Sequence, residues 1–132
     1  MDSRKILYDI AISKLNLPYI WGGDDFNGVD CSGLVIELLQ SVGLFPQGKD
    51  YTAAGLLYLF SGHGVVTPSF GCLAFYGAAN AVTHVAFCLN DELLIEAGGG
   101  GSKTVNAEIA AKQNAMVRIR PIRARKDLVG FV

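Results

Sequence analysis

The segment that most limits what this chain can fold into is GVDCSGLVIELLQSVGL, residues 28–44. Leu34, Val35, Leu38, Leu39 and Val42 recur at helical spacing and define one buried face. Asp30 stands where a helix cap belongs, and Gly43 suits the exit turn. Such a helix must be covered by another layer of structure. It also carries a thiol, Cys31, in its first turn, beside unpaired N–H groups and the positive end of the helix dipole. That setting favours a thiolate, and the same N–H groups can serve an oxyanion. Ser32 and Gly33 are small, so the sulfur is open to close approach. The competing reading is a thiol buried as a small apolar side chain.

The rest of the chain reads as helices first and strands afterwards. Residues 3–15 form an expected first helix with Ile6, Leu7, Ile10 and Ala11 as its stripe and Ser3 as its cap, ended by Pro18. Residues 19–29 read as a loop rich in Gly, Asp and Asn, and 52–60 as a short helix capped by Thr52. A connecting loop over 61–71 precedes strands at 72–77, 84–89, 93–97 and 116–122, with 81–83 extending the second strand. Residues 106–114 form a short helix or turn between the last two. The basic stretch RIRPIRARK reads as an edge strand with one solvated face. This order predicts an α+β fold: N-terminal helices packed on a mainly antiparallel sheet, in one domain spanning 1–132.

A nucleophilic thiol needs a base, and the chain has two histidines. His63 sits in SGHGV, a glycine-flanked loop with nothing to fix its ring. His84 opens the apolar strand HVAFCL, a better place to hold an imidazole. Glu96 interrupts the apolar run LLIEA, where a carboxylate is costly unless exposed or paired. If residues 90–92 form a three-residue hairpin loop, Ala86 pairs with Glu96, and Glu96 becomes the diagonal neighbour of His84 on one face. A two-residue turn would instead set Glu96 opposite Val85, on the wrong face.

With these residues in view, PYIWGGDDFNGVDCSGLVIELLQSVGL closely resembles the signature of the NlpC-type cell-wall peptidases, which are papain-like cysteine peptidases. The matching positions are Tyr19, Trp21, Gly22 and Gly23, then Asp30, Cys31, Ser32, Gly33, Leu34 and Val35. Downstream, GCLAFY resembles the family's Gly–Asp–Leu strand. His84 and Val85 match its His–Val pair, and Glu96 stands twelve residues on, where the family most often has His. The chain departs from the pattern at Cys72 in place of Asp, Ala86 in place of Gly and Glu96 in place of His.

The resemblance implies a papain-like core with Cys31 as nucleophile, His84 as general base and acid, and Glu96 as the orienting residue. It places Tyr19, Ser32 and Asp30 at the oxyanion or substrate, with the short peptide of bacterial peptidoglycan as substrate and neither metal nor cofactor. Asp24 and Asp25 could contact a substrate amine, or act only as loop residues. The same Cys–His core can also serve an amidase or acyltransferase, and an idle module could keep the fold to bind wall peptides.

Other classes find little support. The net charge of −1 gives no basis for nucleic-acid binding. AGGGGSKT lacks a phosphate loop's fixed glycines, with Ala97 and Ser102 in their places, and reads as a bending loop near the cleft. Three cysteines without CxxC spacing indicate neither a disulfide framework nor a zinc knuckle. The longest apolar run falls well short of the roughly 18 residues a membrane helix needs. Asp2 and Asp9 break up any leader-like N-terminus. The expectation is therefore a chain made in the cytoplasm that reaches the wall by lysis, in a phage virion, or through a phage-tail or wall-binding partner.

Overall fold

The computed structural model describes residues 3–25, 27–45 and 51–132. Helix α1 (Ser3–Ser13) is followed by the two-residue strands β1 (Asp24–Asp25) and β2 (Gly28–Val29), then α2 (Cys31–Ser41) and α3 (Ala53–Leu59). Strands β3 (Leu73–Ala78), β4 (Ala81–Cys88) and β5 (Leu93–Gly98) come next. Helix α4 (Ala107–Gln113) leads into β6 (Met116–Pro121), and β7 (Leu128–Phe131) ends the chain's regular structure. The five long strands form one antiparallel sheet in the order β6-β5-β4-β3-β7. This is an α+β arrangement, with helices gathered against one side of the sheet. Among the described residues no helix is long and apolar enough to cross a membrane.

Helix α2 is the hub. Leu34, Val35 and Leu38 are fully buried, and the helix packs on β4 and β5. Val85, Phe87, Ile95, Ala97 and Val117 face it from the sheet. Burying each Leu or Val fully contributes roughly 1.5–3 kcal/mol. Lys14 Nζ holds Glu37 Oε1 at 2.5 Å and ties the end of α1 to α2. The alternate residues of the strands point the other way. Ala74, Tyr76, Ala86, Cys88 and Leu94 make a second, smaller cluster with Ile122 and Phe131.

The start of α2 is built by one carboxylate. Asp30 Oδ1 accepts the Gly33 N–H at 2.7 Å and the Ser32 hydroxyl at 3.3 Å, while Oδ2 accepts the Gly22 N–H at 3.0 Å. One side chain thus caps the helix and clasps the preceding loop to it. The β1–β2 hairpin inside that loop has two residues per strand, too short to leave an alternating pattern in sequence.

The helices fall within a residue or two of their expected ends, and α4 is capped by Asn106. The strand β7 is the main addition to the sequence reading. β6 is one edge, as expected, but the chain then crosses by a short 3-10 turn at Ile122–Ala124 and pairs β7 with β3 at the other edge. Its four residues include Gly130, and only Phe131 among them is buried, so neither run length nor alternation marks them.

Asp30→Ala should lower stability by about 1–2 kcal/mol, read as a reduced urea midpoint with an unchanged slope. An unshifted midpoint would show that the Asp30 clasp contributes nothing to holding the helix start.

Candidate active site

The hairpin between β4 and β5 sets the register of the site. Phe87 pairs with Ile95 and Cys88 with Leu94, and the Leu89 N–H bonds the Leu93 carbonyl at 2.8 Å around a loop of residues 90–92. The same register brings Ala86 opposite Glu96 and leaves Glu96 diagonal to His84 on the second face of the sheet. On the far side of β5, Glu96 pairs directly with Arg118 of β6.

A bulge positions His84. Tyr76 pairs with His84, but Gly77 pairs with Val82, so Thr83 is the extra residue. The bulge kinks β4 just ahead of the imidazole, a common device beside functional side chains. It also lets Val82 and Val85 both enter the helix-side core. The Tyr76 ring lies 5.7 Å from the His84 ring, and its hydroxyl donates to the Ile122 carbonyl at 2.7 Å, which fixes that wall.

His84 and Glu96 are both buried, at 7% and 5% exposure. The ring Nε2–H of His84 donates to Glu96 Oε1 at 3.2 Å, and Arg118 Nε donates to Glu96 Oε2 at 3.4 Å. With Nε2 committed to Glu96, Nδ1 is the nitrogen left for Cys31, whose side chain makes a hydrogen-bonding contact with the ring. The first turn of α2 and the residue that follows the β4 bulge thus meet at the thiol and the imidazole.

Burial disfavours a charged imidazole. The hydrogen bonds and charges of Cys31 and Glu96 outweigh it and raise His84 to about 9. Burial likewise opposes ionisation of Glu96, but the bonds and charges of His84 and Arg118 prevail and hold it below the usual carboxylate range. Both groups are therefore charged near neutrality. Tyr19 is pushed upward, by burial first and then by the nearby Cys31 and Asp30, so its phenol stays protonated.

The thiol opens onto two adjoining hollows. One, of about 600 Å³, is lined by Cys31, His84, Glu96, Tyr19 and Trp21, with the glycine loop 98–101 as one wall. The other, of about 320 Å³, lies against Cys31, Ser32, Asp30, Tyr51 and Thr52. Tyr19, Trp21, Cys31 and Thr52 line both. Tyr19 is pinned through its backbone to Ala115 and to β2, and its ring packs where a side chain on Gly100 would sit. Trp21 stands at the rim, 55% exposed. Gly98 is required by the site itself. A Cβ there would lie 2.4 Å from Glu96 Oε2 and 3.1 Å from Arg118 Nη2, in the space the carboxylate uses to reach both partners.

Of the residues singled out in sequence, the structure gathers Cys31, His84, Glu96, Tyr19 and Ser32 at the clefts. Asp30 lies at the edge of the smaller hollow, with its carboxylate engaged by the backbone and by Ser32. His63 lies apart, exposed in a short 3-10 helix, against Leu39, Phe60 and Val132. The side chains of Asp24 and Asp25 lie outside the described residues. Arg118 and Gly98 were missed. Arg118 was readable in principle, because extending the β5 register to the alternating MVRIR strand sets it opposite Glu96.

A thiol at a helix start, an imidazole just past a bulge in an antiparallel strand and a carboxylate behind it, on this α+β scaffold, define a papain-like fold. The NlpC/P60 family pattern matches residues 16–121, and the chain belongs to that family. Solved structures agree on the fold. An NlpC/P60 family protein from Bacillus cereus superposes with a TM-score of 0.67 at 24% identity, covering 97% of this chain and 39% of that one. The NlpC/p60 domain of the peptidoglycan hydrolase SagA gives 0.64 at 22% identity, covering 97% and 95%. The peptidoglycan hydrolase RipB from Mycobacterium tuberculosis gives 0.71 at 24% identity, covering 97% and 62%. The chain therefore spans well under half of the Bacillus cereus protein and nearly all of the SagA domain.

The electrostatics predict a signed pH effect. Folded His84 holds its proton to about 9, whereas the free side chain loses it near 6.5. Its stabilisation is complete below about 6.5 and is lost as pH rises through about 9. Glu96, held below its ordinary 4.5, contributes in the reverse sense, and its share is lost as pH falls below that value. Ring-proton NMR should place the His84 midpoint near 9, and Glu96→Gln should move it down. Gly98→Ala should also lower it, by displacing the carboxylate. A wild-type midpoint near 6.5 would contradict the pairing described here.

Proposed function

We propose that this chain is a cysteine peptidase that hydrolyses peptide bonds in the stem peptides of bacterial peptidoglycan. Cys31 is the nucleophile, His84 the general base and acid, and Glu96 the residue that orients and charges the imidazole. The observation that carries the reading is the disposition of His84: one ring nitrogen is committed to a buried carboxylate, and the other faces a thiol at a helix start. Membership of the NlpC/P60 family and the likeness to two peptidoglycan hydrolases, SagA and RipB, support the substrate class.

In this mechanism the Cys31 sulfur attacks the scissile carbonyl carbon while the imidazolium of His84 stands ready as acid. As the tetrahedral intermediate collapses, His84 gives its proton to the departing amine, leaving an acyl thioester on Cys31. The now neutral imidazole takes a proton from water, whose oxygen attacks the thioester, and the thiolate leaves to restore the enzyme. The oxyanion formed in each half lies near the N–H groups of the first turn of α2, where the helix dipole favours negative charge. The protonated Tyr19 hydroxyl is a second donor for it. Ser32 acts at the edge of the substrate cleft, and Asp30 acts indirectly, by holding the helix start and the Gly22 loop in place.

Glu96 differs from a neutral orienting residue in carrying charge. It stabilises the imidazolium through each step, much as a carboxylate does for other hydrolytic histidines. Because His84 holds its proton to about 9, activity should persist through neutral pH and fall as the imidazolium is lost above that value.

Purified peptidoglycan and defined muropeptides, followed by mass analysis of fragments, provide the test. Cys31→Ala should abolish cleavage while the far-UV spectrum and melting temperature stay close to wild type. His84→Ala should cost roughly a hundredfold or more, and Glu96→Gln less. Cleavage retained by Cys31→Ala, or unaffected by His84→Ala, would refute the assignment.

A further inference from the structure

The larger hollow is lined by three arginines, Arg118, Arg120 and Arg125, in a chain whose net charge is −1. Two of them have counter-ions. Arg118 engages Glu96 through Nε. Arg125 grips Asp127 with two bonds, 2.9 and 2.7 Å, and its guanidinium lies 5.1 Å over the Tyr76 ring. Arg120 has no hydrogen-bonding or ion-pair partner among the described residues. It follows Arg118 by two positions on β6 and pairs with Leu94, so both arginines project from the same face of the sheet.

We propose that Arg120, with Arg118 beside it, forms an anion subsite that binds a carboxylate of the substrate close to the scissile bond. The inference rests on the peptidase reading above and adds to it the ionisation state of the substrate. A planar guanidinium without a partner, set in a cleft rather than on open surface, is matched by a carboxylate through two parallel N–H···O bonds. The other hollow is different. It is lined by Tyr19, Trp21, Tyr51, Thr52 and Ser32, and its one charged residue, Asp30, is already engaged by backbone N–H groups. The two hollows meet at Cys31, so the cleft is cationic on one side of the sulfur, and on the other it carries no cation and one carboxylate already committed to the helix start. A peptide with a free carboxylate on one side of the bond to be cut fits this asymmetry.

The chemical consequence is discrimination against amidation. A carboxamide is nearly the same size as a carboxylate, but it carries no charge and turns an N–H₂ toward the arginine N–H groups, donor against donor. Stem peptides whose free carboxylates have been converted to amides should therefore be weak ligands, although the bond to be cut is unchanged.

The test uses the full chain with Cys31→Ala, which binds without turnover, and two synthetic stem peptides. These are identical except that the carboxylates flanking the scissile bond are free in one and amidated in the other. Calorimetry should show the free acid binding about tenfold or more tightly, the size of a charge-assisted hydrogen bond, with the preference shrinking as salt is raised. Adding Arg120→Gln should bring the ratio near one, and Arg120→Lys, which keeps the charge but not the fork, should retain part of it. Equal affinities for the two peptides, a ratio unchanged in Arg120→Gln, or no binding of either peptide would overturn the subsite. Cleavage by the wild-type chain is followed in parallel. Equal cleavage and equal binding of both peptides removes the subsite and leaves the peptidase reading standing. Preferential binding of the free acid without cleavage of either does the reverse.

Discussion

A carboxylate placed at 5% exposure inside an apolar strand would be a defect unless its charge were met on both sides. Glu96 is met on both sides, by His84 on β4 and Arg118 on β6, each through a different oxygen. The rest of the site is arranged around that requirement. The three-residue hairpin loop sets the register that makes His84 a neighbour. The β5–β6 pairing delivers Arg118. Gly98 leaves the space through which the carboxylate reaches both. Each is a backbone decision, made by strand pairing and by the absence of a side chain, and together they determine the ionisation of an imidazole.

The helix side solves the complementary problem of presenting a small side chain at a defined point. Cys31 is placed by α2, and α2 is held by the apolar face that fills the space over β4 and β5. Its start is fixed by Asp30, whose two oxygens tie the helix to the loop carrying Trp21 and Gly22. The thiol itself makes few demands on the fold; its position comes from the helix that carries it. Tyr19, buried and protonated, closes the site from the loop side and is in turn packed by the glycine segment behind it.

Much of this was legible in sequence because each element carries a local signal. The period of Leu34, Val35, Leu38 and Leu39 marks α2, and Asp30 marks its start. The apolar runs at 84–89 and 93–97 mark the two strands of the hairpin, and arithmetic on its loop then puts Glu96 beside His84. What could not be read is long-range or short-range in the extreme. The pairing of β7 with β3 joins residues more than fifty positions apart, and nothing within LVGF states its partner. The β1–β2 hairpin is too short for a period to exist. Arg118 illustrates the middle case. Its strand was visible, and taken alone an arginine on an edge strand belongs to a solvated face. It becomes part of the site only once β6 is docked on β5, because the carboxylate it serves lies on the neighbouring strand.

Arg118, Glu96, His84 and Cys31 form a row of groups that alternate in charge when the imidazole is protonated and the thiol ionised. Such alternation matters more than any single pair, because the two inner charges, on Glu96 and His84, each have an opposite charge on either side, and removing one leaves its neighbours unbalanced. The row begins in the first turn of α2 and ends at Arg118 on β6. Arg125, also on the cleft wall, is neutralised separately by Asp127. Among the described charged groups that line this hollow, Arg120 is the one without a counter-charge in the chain. Arg120 stands outside these ion pairs in the same hollow as Cys31, and in the proposed subsite its complement is a charge that arrives with the substrate.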